Sequence, residues 1–258
     1  MALYQAGRIT ESQLEAYRIC ASLDAQDPAA VLGRSGQVPD TRPQPAELLL
    51  QLRRAAARYL STLPGDGATE ARAALARQPW DVSPPATPRD NPVLRQWLGP
   101  ALDLVAPDRP ELAASIAAAA PLLVWITYDS YPRDQIGESF ATGHAFASLV
   151  GEGSPFPGHD FDLGLFLIAP RVLYRDHRHA APELYAPLTG PHDWRFGPGT
   201  PLVTKPAHVP VWNDPHAPHL TRVGHVPFLA FYCWTRDVNE LAEVIPADDW
   251  GQLEEARP

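Results

Sequence analysis

His177-Arg178-His179-Ala180-Ala181-Pro182-Glu183-Leu184-Tyr185, closing on Gly190, decides how this chain reads. In an extended strand side chains alternate between faces, so His177 and His179 point one way, and Glu183 shares a face with Tyr185. Arg178, between the histidines, points the other way, toward solvent. Two neighbouring strands of this kind aim two imidazoles, a carboxylate and a phenol into one pocket. Imidazole with carboxylate suits a first-row divalent ion: zinc, iron, nickel or manganese. One divalent transition metal is therefore the first expectation.

All nine histidines of the 258 residues lie between His144 and His225, which assigns the chemistry to the C-terminal half. After Pro121 the chain breaks into short β-type runs over 122–128, 146–150, 163–168, 172–174, 183–188, 194–196, 202–205, 219–223 and 228–234. Turn signals such as Gly151-Glu152-Gly153-Ser154-Pro155 and Gly197-Pro198-Gly199 separate them. Many short strands punctuated by glycine and proline indicate a barrel or sandwich. The segment 239–243 reads as a closing helical turn, and the acidic tail as frayed.

Upstream, the first 120 residues read as helices joined by proline-rich turns. Thr10 with Gln13 has the form of a capping box, opening a helix with Leu14, Tyr17 and Ala21 on one face. Pro45 suits the first turn of a helix over 46–63, where Leu49, Leu52, Ala56 and Leu60 recur at helical spacing. Further helices are expected over 70–77, 93–105 and 110–120. Prolines and the Arg89-Asp90 pair make 78–92 an irregular loop. The expected organisation is a helical region over 1–120 packing on a metal-binding β-barrel over 121–258.

Bulk properties narrow the function classes. The formal net charge is -9, from 21 basic and 30 acidic side chains. Lys205 is the sole lysine and the arginines are scattered, so no basic stripe exists for nucleic acid. The same acidity gives no attraction to anionic lipid. Cys20 and Cys233 make no disulfide framework, and Cys233 reads as a small core hydrophobe. The N-terminus lacks a charged-then-apolar signal pattern, and no apolar run approaches the roughly 18 residues of a membrane helix. The expectation is a soluble, cytoplasmic protein.

The pattern His177-x-His179-x3-Glu183-x6-Gly190 resembles the first metal motif of the cupins, small antiparallel β-barrels with a metal near one mouth. The resemblance implies one more histidine on a later strand. His219 is preferred, because it opens a β-type run ahead of Pro227-Phe228-Leu229-Ala230. His216, in Asp214-Pro215-His216-Ala217, is the rival. Tyr185, two residues beyond Glu183, is similar to its counterpart in the cupin-type dimethylsulfoniopropionate lyases. So are Leu163-Gly164-Leu165-Phe166-Leu167, leading through Pro170 and Tyr174 to the histidines, and the ending Pro227-Phe228-Leu229-Ala230-Phe231-Tyr232-Cys233-Trp234. The stretch Pro218-His219-Leu220-Thr221-Arg222 departs from the family's Pro-His-Ala-type segment. The likeness covers roughly residues 120–240 and implies a mainly β protein with a helical extension, a cupin double-stranded β-barrel preceded by an α-helical region.

That resemblance implies β-elimination: a proton leaves the carbon beside a carboxylate, dimethyl sulfide departs, and acrylate remains. A metal-bound carboxylate acidifies that carbon, and a base must lie within hydrogen-bond reach of the proton. Tyr185 is the candidate base; a free phenol has a pKa of about 10, so it needs a neighbouring cation. The sulfonium wants aromatic faces, for which Tyr232, Trp234 and Tyr174 are the candidates. Tyr174 differs in parity from His177 and reaches the pocket only through a bulge, for which Pro170-Arg171 is a candidate place. The implied partner is a small zwitterionic or carboxylate substrate, with no nucleic acid and no membrane, and with a homodimer left open. Rival readings are a cupin oxygenase or isomerase acting on another small carboxylate, and a ligand-sensing or metal-storing cupin. His144, His159, His192, His208 and His225 read as loop or strand-end residues.

Overall fold

The computed structural model describes residues 1–22, 32, 43–83, 87 and 90–255. Pro84, Pro85, Pro88 and Arg89 of the expected loop lie outside them, as do the last three residues of the tail. The chain forms two compact units, Met1–Gln44 and Pro45–Pro258. The first carries helices α1 (Ala2–Gln5) and α2 (Glu11–Ser22). The expected capping box is present: the Thr10 amide donates to Gln13 Oε1 at 2.7 Å, and the Gln13 amide to Thr10 Oγ1 at 3.3 Å.

The second unit opens with α3 (Pro45–Ser61), α4 (Asp66–Ala76), α5 (Pro92–Val105) and α6 (Pro110–Ala119). Three of these begin with proline, which needs no amide partner in the first turn. At α5 the Asn91 side chain also accepts from the Val93 and Leu94 amides.

Among the described residues eleven strands follow: β1 (His144–Gly151), β2 (Phe156–Pro157), β3 (Asp162–Ile168), β4 (Leu173–Arg178), β5 (Glu183–Pro187), β6 (His192–Arg195), β7 (Val203–Lys205), β8 (Val211–Asn213), β9 (His219–Arg222), β10 (Phe228–Trp234) and β11 (Glu243–Val244). They form one sheet in the order β2-β1-β3-β10-β5-β8 and another in the order β11-β4-β9-β6-β7. This is the cupin double-stranded barrel with its helical extension.

Strand parity explains why the first sheet is buried on both faces. Leu163, Leu165 and Leu167 of β3, with Leu229, Phe231 and Cys233 of β10, share a core with Leu49, Leu52 and Leu60 of α3. The alternate residues Phe166, Ile168, Phe228, Ala230 and Tyr232 belong to a second core that includes Tyr174 of β4 and Trp194 of β6. A strand covered on both faces loses its polar alternation, hence the near-continuous apolar runs of β3 and β10. Gly190 is required sterically: a Cβ there would lie 2.5 Å from the Ala207 amide nitrogen.

Several boundaries differ from expectation. The segment 122–128 is not a strand; a 3₁₀ turn at Ala120–Leu122 leads to a single bridge, Ile126 with Phe146. Its polar groups are satisfied elsewhere: the Trp125 indole donates to Ala120 O and the Tyr128 amide to His144 Nε2. Glu243–Val244 pairs with β4 instead of ending a helical turn, and the tail forms α9 (Trp250–Glu255). Sequence periodicity also missed two short helices, Arg133–Ile136 and Glu138–Gly143 (α7 and α8). No helix among the described residues is long and apolar enough to cross a membrane.

Two buried histidines give the fold a pH dependence. His144 Nε2 accepts from the Tyr128 amide, so its Nδ1 carries the proton and donates to Phe140 O at 2.5 Å. Burial lowers the pKa of His144, and that of His192, from 6.5 to about 4. Each stays neutral in the folded protein while its unfolded counterpart takes a proton, so stability is lost as pH falls from 6.5 toward 4. Asp162 opposes this, because burial raises its carboxyl from 3.8 to about 7 and its contribution is lost as pH rises. Burial holds His177, and to a lesser degree His208, low as well, so the histidines outnumber the one opposing carboxyl and unfolding takes up protons on balance. The unfolding free energy should fall by at least about 1.4 kcal/mol per pH unit between those limits. Urea midpoints at pH 6.5 and 4.5 check this; a constant or rising midpoint toward acid would contradict it.

Candidate metal centre

The two histidines of the opening motif reach the interior because β4 carries a register shift between Tyr174 and His177. The extra residue sends Asp176 away to the buried Arg195 guanidinium and the Trp250 indole. Tyr174 and His177 then face inward together and stack, with ring centroids 3.7 Å apart. The bulge therefore lies at Arg175-Asp176, not at Pro170-Arg171. Its cause is the ion pair that Asp176 must reach. Arg178 points outward to Glu243, with its side chain 42 % exposed.

His219 lies directly across from His177 on β9. One nitrogen from each of His177, His179 and His219 lies within 4.8 Å of the others, and all three residues are buried. His216 is an exposed turn residue with φ of 58°, outside this group. The tautomers follow from the backbone. The Nδ1 atoms of His177, His179 and His219 face the carbonyls of Arg175, Ala181 and Ala217 at 2.8, 2.7 and 2.9 Å. A carbonyl only accepts, so each Nδ1 donates, and each Nε2 of a neutral ring presents a lone pair.

Two of those lone pairs lie beside Glu183. Its Oε2 lies 3.2 Å from His179 Nε2 and 3.3 Å from His219 Nε2. Burial alone would raise the Glu183 carboxyl, but His179 and His219, once they carry a proton on Nε2, outweigh it and hold the group below the usual carboxylate range. Burial, then the two other imidazoles, keep His177 well below 6.5 and thus uncharged. His177 Nε2 and His219 Nε2 are buried without a hydrogen-bond partner. Three clustered imidazole lone pairs, two of them beside a carboxylate, form a donor set that fits a divalent cation.

The surroundings orient these donors. The Trp234 indole donates to Glu183 Oε1 at 2.8 Å, and Asn213 Nδ2 to Oε2 at 3.3 Å. Neither contact was anticipated; Asn213 lies on β8, too short to be seen as a strand from sequence. Partners of this kind typically set metal affinity by 10–100-fold. Trp234→Phe should therefore weaken zinc binding by about that factor while the melting profile of the metal-free protein changes little. Unchanged affinity in a competition titration would show that the indole contact does not support the carboxylate.

Glu183 and Tyr185 also border a cavity of about 220 Å³ walled by Tyr128, Tyr131, Phe140, Phe166, Tyr174, Tyr232 and Trp234. Tyr185, Tyr174, Tyr232 and Trp234, all singled out from sequence, thus meet in one space with Glu183. Tyr131 and Phe140 come from the loop and short helix that sequence periodicity missed; Tyr131 hydrogen-bonds Tyr174 through their hydroxyls at 2.9 Å. Of the remaining histidines, His144 opens β1 on the cavity wall and His192 is buried at the start of β6. His225 is exposed, and His208 occupies a turn with φ of 66°.

Comparison with known proteins bears on this site. A family model described as dimethylsulfoniopropionate lyase matches residues 69–230, more than half of the chain. No curated protein matches in sequence. A chain from the crystal structures of the DMSP lyases RdDddP and RnDddQII superposes with a TM-score of 0.59 at 20 % identity, over 79 % of this chain and 100 % of that one. The DMSP lyase DddQ from Ruegeria pomeroyi DSS-3 gives 0.54 at 22 % identity, over 74 % and 94 %. A cupin-like protein from Thermotoga maritima gives 0.38 at 13 % identity, over 44 % and 84 %.

Proposed function

The chain belongs to the dimethylsulfoniopropionate lyase family, and from that premise we propose that it is a carbon–sulfur lyase cleaving dimethylsulfoniopropionate, or a close analogue, to dimethyl sulfide and acrylate. The observation that carries this reading is a group of three buried imidazoles, two of them within 3.3 Å of Glu183 Oε2, at an aromatic cavity that Glu183 also lines. His177, His179, Glu183 and His219 would hold one divalent ion, with zinc, iron, nickel and manganese all compatible with such donors. That ion supplies Lewis-acid polarisation of a substrate carboxylate, which acidifies the adjacent carbon.

The chain's own residues do the rest. Tyr185 Oη takes the proton from the carbon beside the carboxylate. That C–H electron pair becomes the new C=C bond, and the C–S bond breaks with its pair passing to sulfur. A net-neutral zwitterion thus yields a neutral sulfide, an acrylate anion and one proton, which Tyr185 must return to solvent. Burial, then the charge of Glu183, push the Tyr185 phenol well above 10, so a positive charge beside Glu183 is a condition of its action. Tyr232 and Trp234 present ring faces to the sulfonium, each favourable contact contributing about 0.5–2 kcal/mol, while Tyr174, stacked between Phe140 and His177, offers the cavity only its edge.

Headspace gas chromatography of purified, metal-loaded protein supplied with dimethylsulfoniopropionate tests this, with a chelated control. Dimethyl sulfide should rise with the loaded protein and stay at background with the chelated one. A folded, metal-loaded protein that releases none would overturn the assignment.

A further inference from the structure

We propose that Asp162 determines specificity, its carboxylate serving as counter-ion to the cationic end of the substrate, so that the cavity selects fully alkylated onium zwitterions over uncharged carboxylates of the same shape. The proposal rests on the lyase reading for the orientation of the substrate, with its carboxylate at the Glu183 end.

Register supplies the first argument. Asp162 of β3 pairs directly with Trp234 of β10, and Trp234 pairs directly with Glu183 of β5. Residues directly opposite one another share a sheet face, so the two carboxylates flank the indole on the inner face. Two strand spacings separate their backbones by about 10 Å. A short zwitterion with its carboxylate near Glu183 would lie along Trp234 and bring its positive end toward Asp162.

The local chemistry supplies the second. Asp162 Oδ2 accepts from Ser148 Oγ at 3.0 Å and from Tyr232 Oη at 3.1 Å, while Oδ1 is buried without a hydrogen-bond partner. Tyr232 reaches it because Gly164 has no side chain; a Cβ there would lie 2.7 Å from the phenol oxygen. Burial pushes the Asp162 carboxyl up to about 7, so its ionised form is under-stabilised and gains from an added cation. Among the described residues no arginine or lysine lines the cavity, and Asp162 and Glu183 are its carboxylates. Sulfonium and quaternary ammonium groups donate no N–H bonds and are recognised by charge and ring faces. A primary ammonium would need three acceptors that these aromatic walls do not offer.

The test uses two unreactive ligands of matched shape, 3-(trimethylammonio)propionate and the uncharged-head isostere 4,4-dimethylpentanoate. Their affinities are measured by calorimetry on metal-loaded wild type and Asp162→Asn, with melting temperature and metal content as controls. Wild type should prefer the onium ligand by about tenfold or more. In Asp162→Asn the preference should shrink to about twofold, with the isostere binding as before. Should the variant fail to fold, metal-loaded Tyr185→Phe suffices, because it lacks the phenol that the ion would ionise: its preference should be weaker at pH 6 than at pH 8.5. Over that range Ser148 and Trp234 do not titrate, His144 is neutral, Glu183 is ionised, and burial holds Tyr131, Tyr174 and Tyr232 protonated. An undiminished preference in Asp162→Asn, or none in wild type, overturns the proposal. Sulfide release with undiminished preference in the variant would sink this inference alone. The predicted preference without sulfide release would sink the lyase reading alone.

Discussion

Tyr185→Phe should lower dimethyl sulfide production by about 10³-fold while the bound metal stays near one equivalent per chain, because a positioned proton acceptor contributes roughly 10²–10⁴-fold. The substitution removes one oxygen and keeps the ring that packs against Phe166, Trp194 and Phe228. The barrel should therefore hold its shape. Since the four proposed donors are untouched, a loss of turnover with full metal content isolates the proton transfer. Coupled loss of metal and turnover would instead mark Tyr185 as a support for the ion. Full turnover in the variant would remove it as the base.

His219→Ala should remove metal and activity together, which separates it from Tyr185→Phe. His219 is the one member of the group from a distant stretch of chain, and it faces His177 across the β4–β9 pair. Its loss leaves two imidazoles and a carboxylate, too few for a closed four-donor site. Contacts one layer further out already set metal affinity by 10–100-fold, so the direct loss should weaken zinc binding by more than about 100-fold. Turnover at micromolar metal should drop to background, and excess metal should restore it partly. Wild-type affinity in this variant would return His216 to consideration despite its exposed turn.

Much of the site was legible because two-residue periodicity is a strong signal. His177 and His179 share a face as alternation requires, and Glu183 and Tyr185 do the same on β5. Tyr174 was legible only conditionally: its parity demanded a bulge, but the bulge's place depends on Arg195 and Trp250, residues distant in sequence. Asp162 carried a readable clue, since its parity with Phe166 turns a carboxylate inward. It lies one residue before the expected run 163–168 and was not singled out. Tyr131, Phe140 and Asn213 were illegible, because short helices and a three-residue strand leave no periodic trace. The segment 122–128 misled through composition: β-favouring residues were used to bury Trp125 and brace Tyr128 rather than to build a ladder.

X-ray absorption at the metal edge of the zinc-loaded protein tests most directly whether the three imidazoles and Glu183 share one ion. One zinc per chain with the multiple-scattering signature of three histidine rings plus an oxygen donor is the expected spectrum, losing one ring in His219→Ala. Substoichiometric metal, or a wild-type spectrum with fewer than three imidazoles, would contradict it.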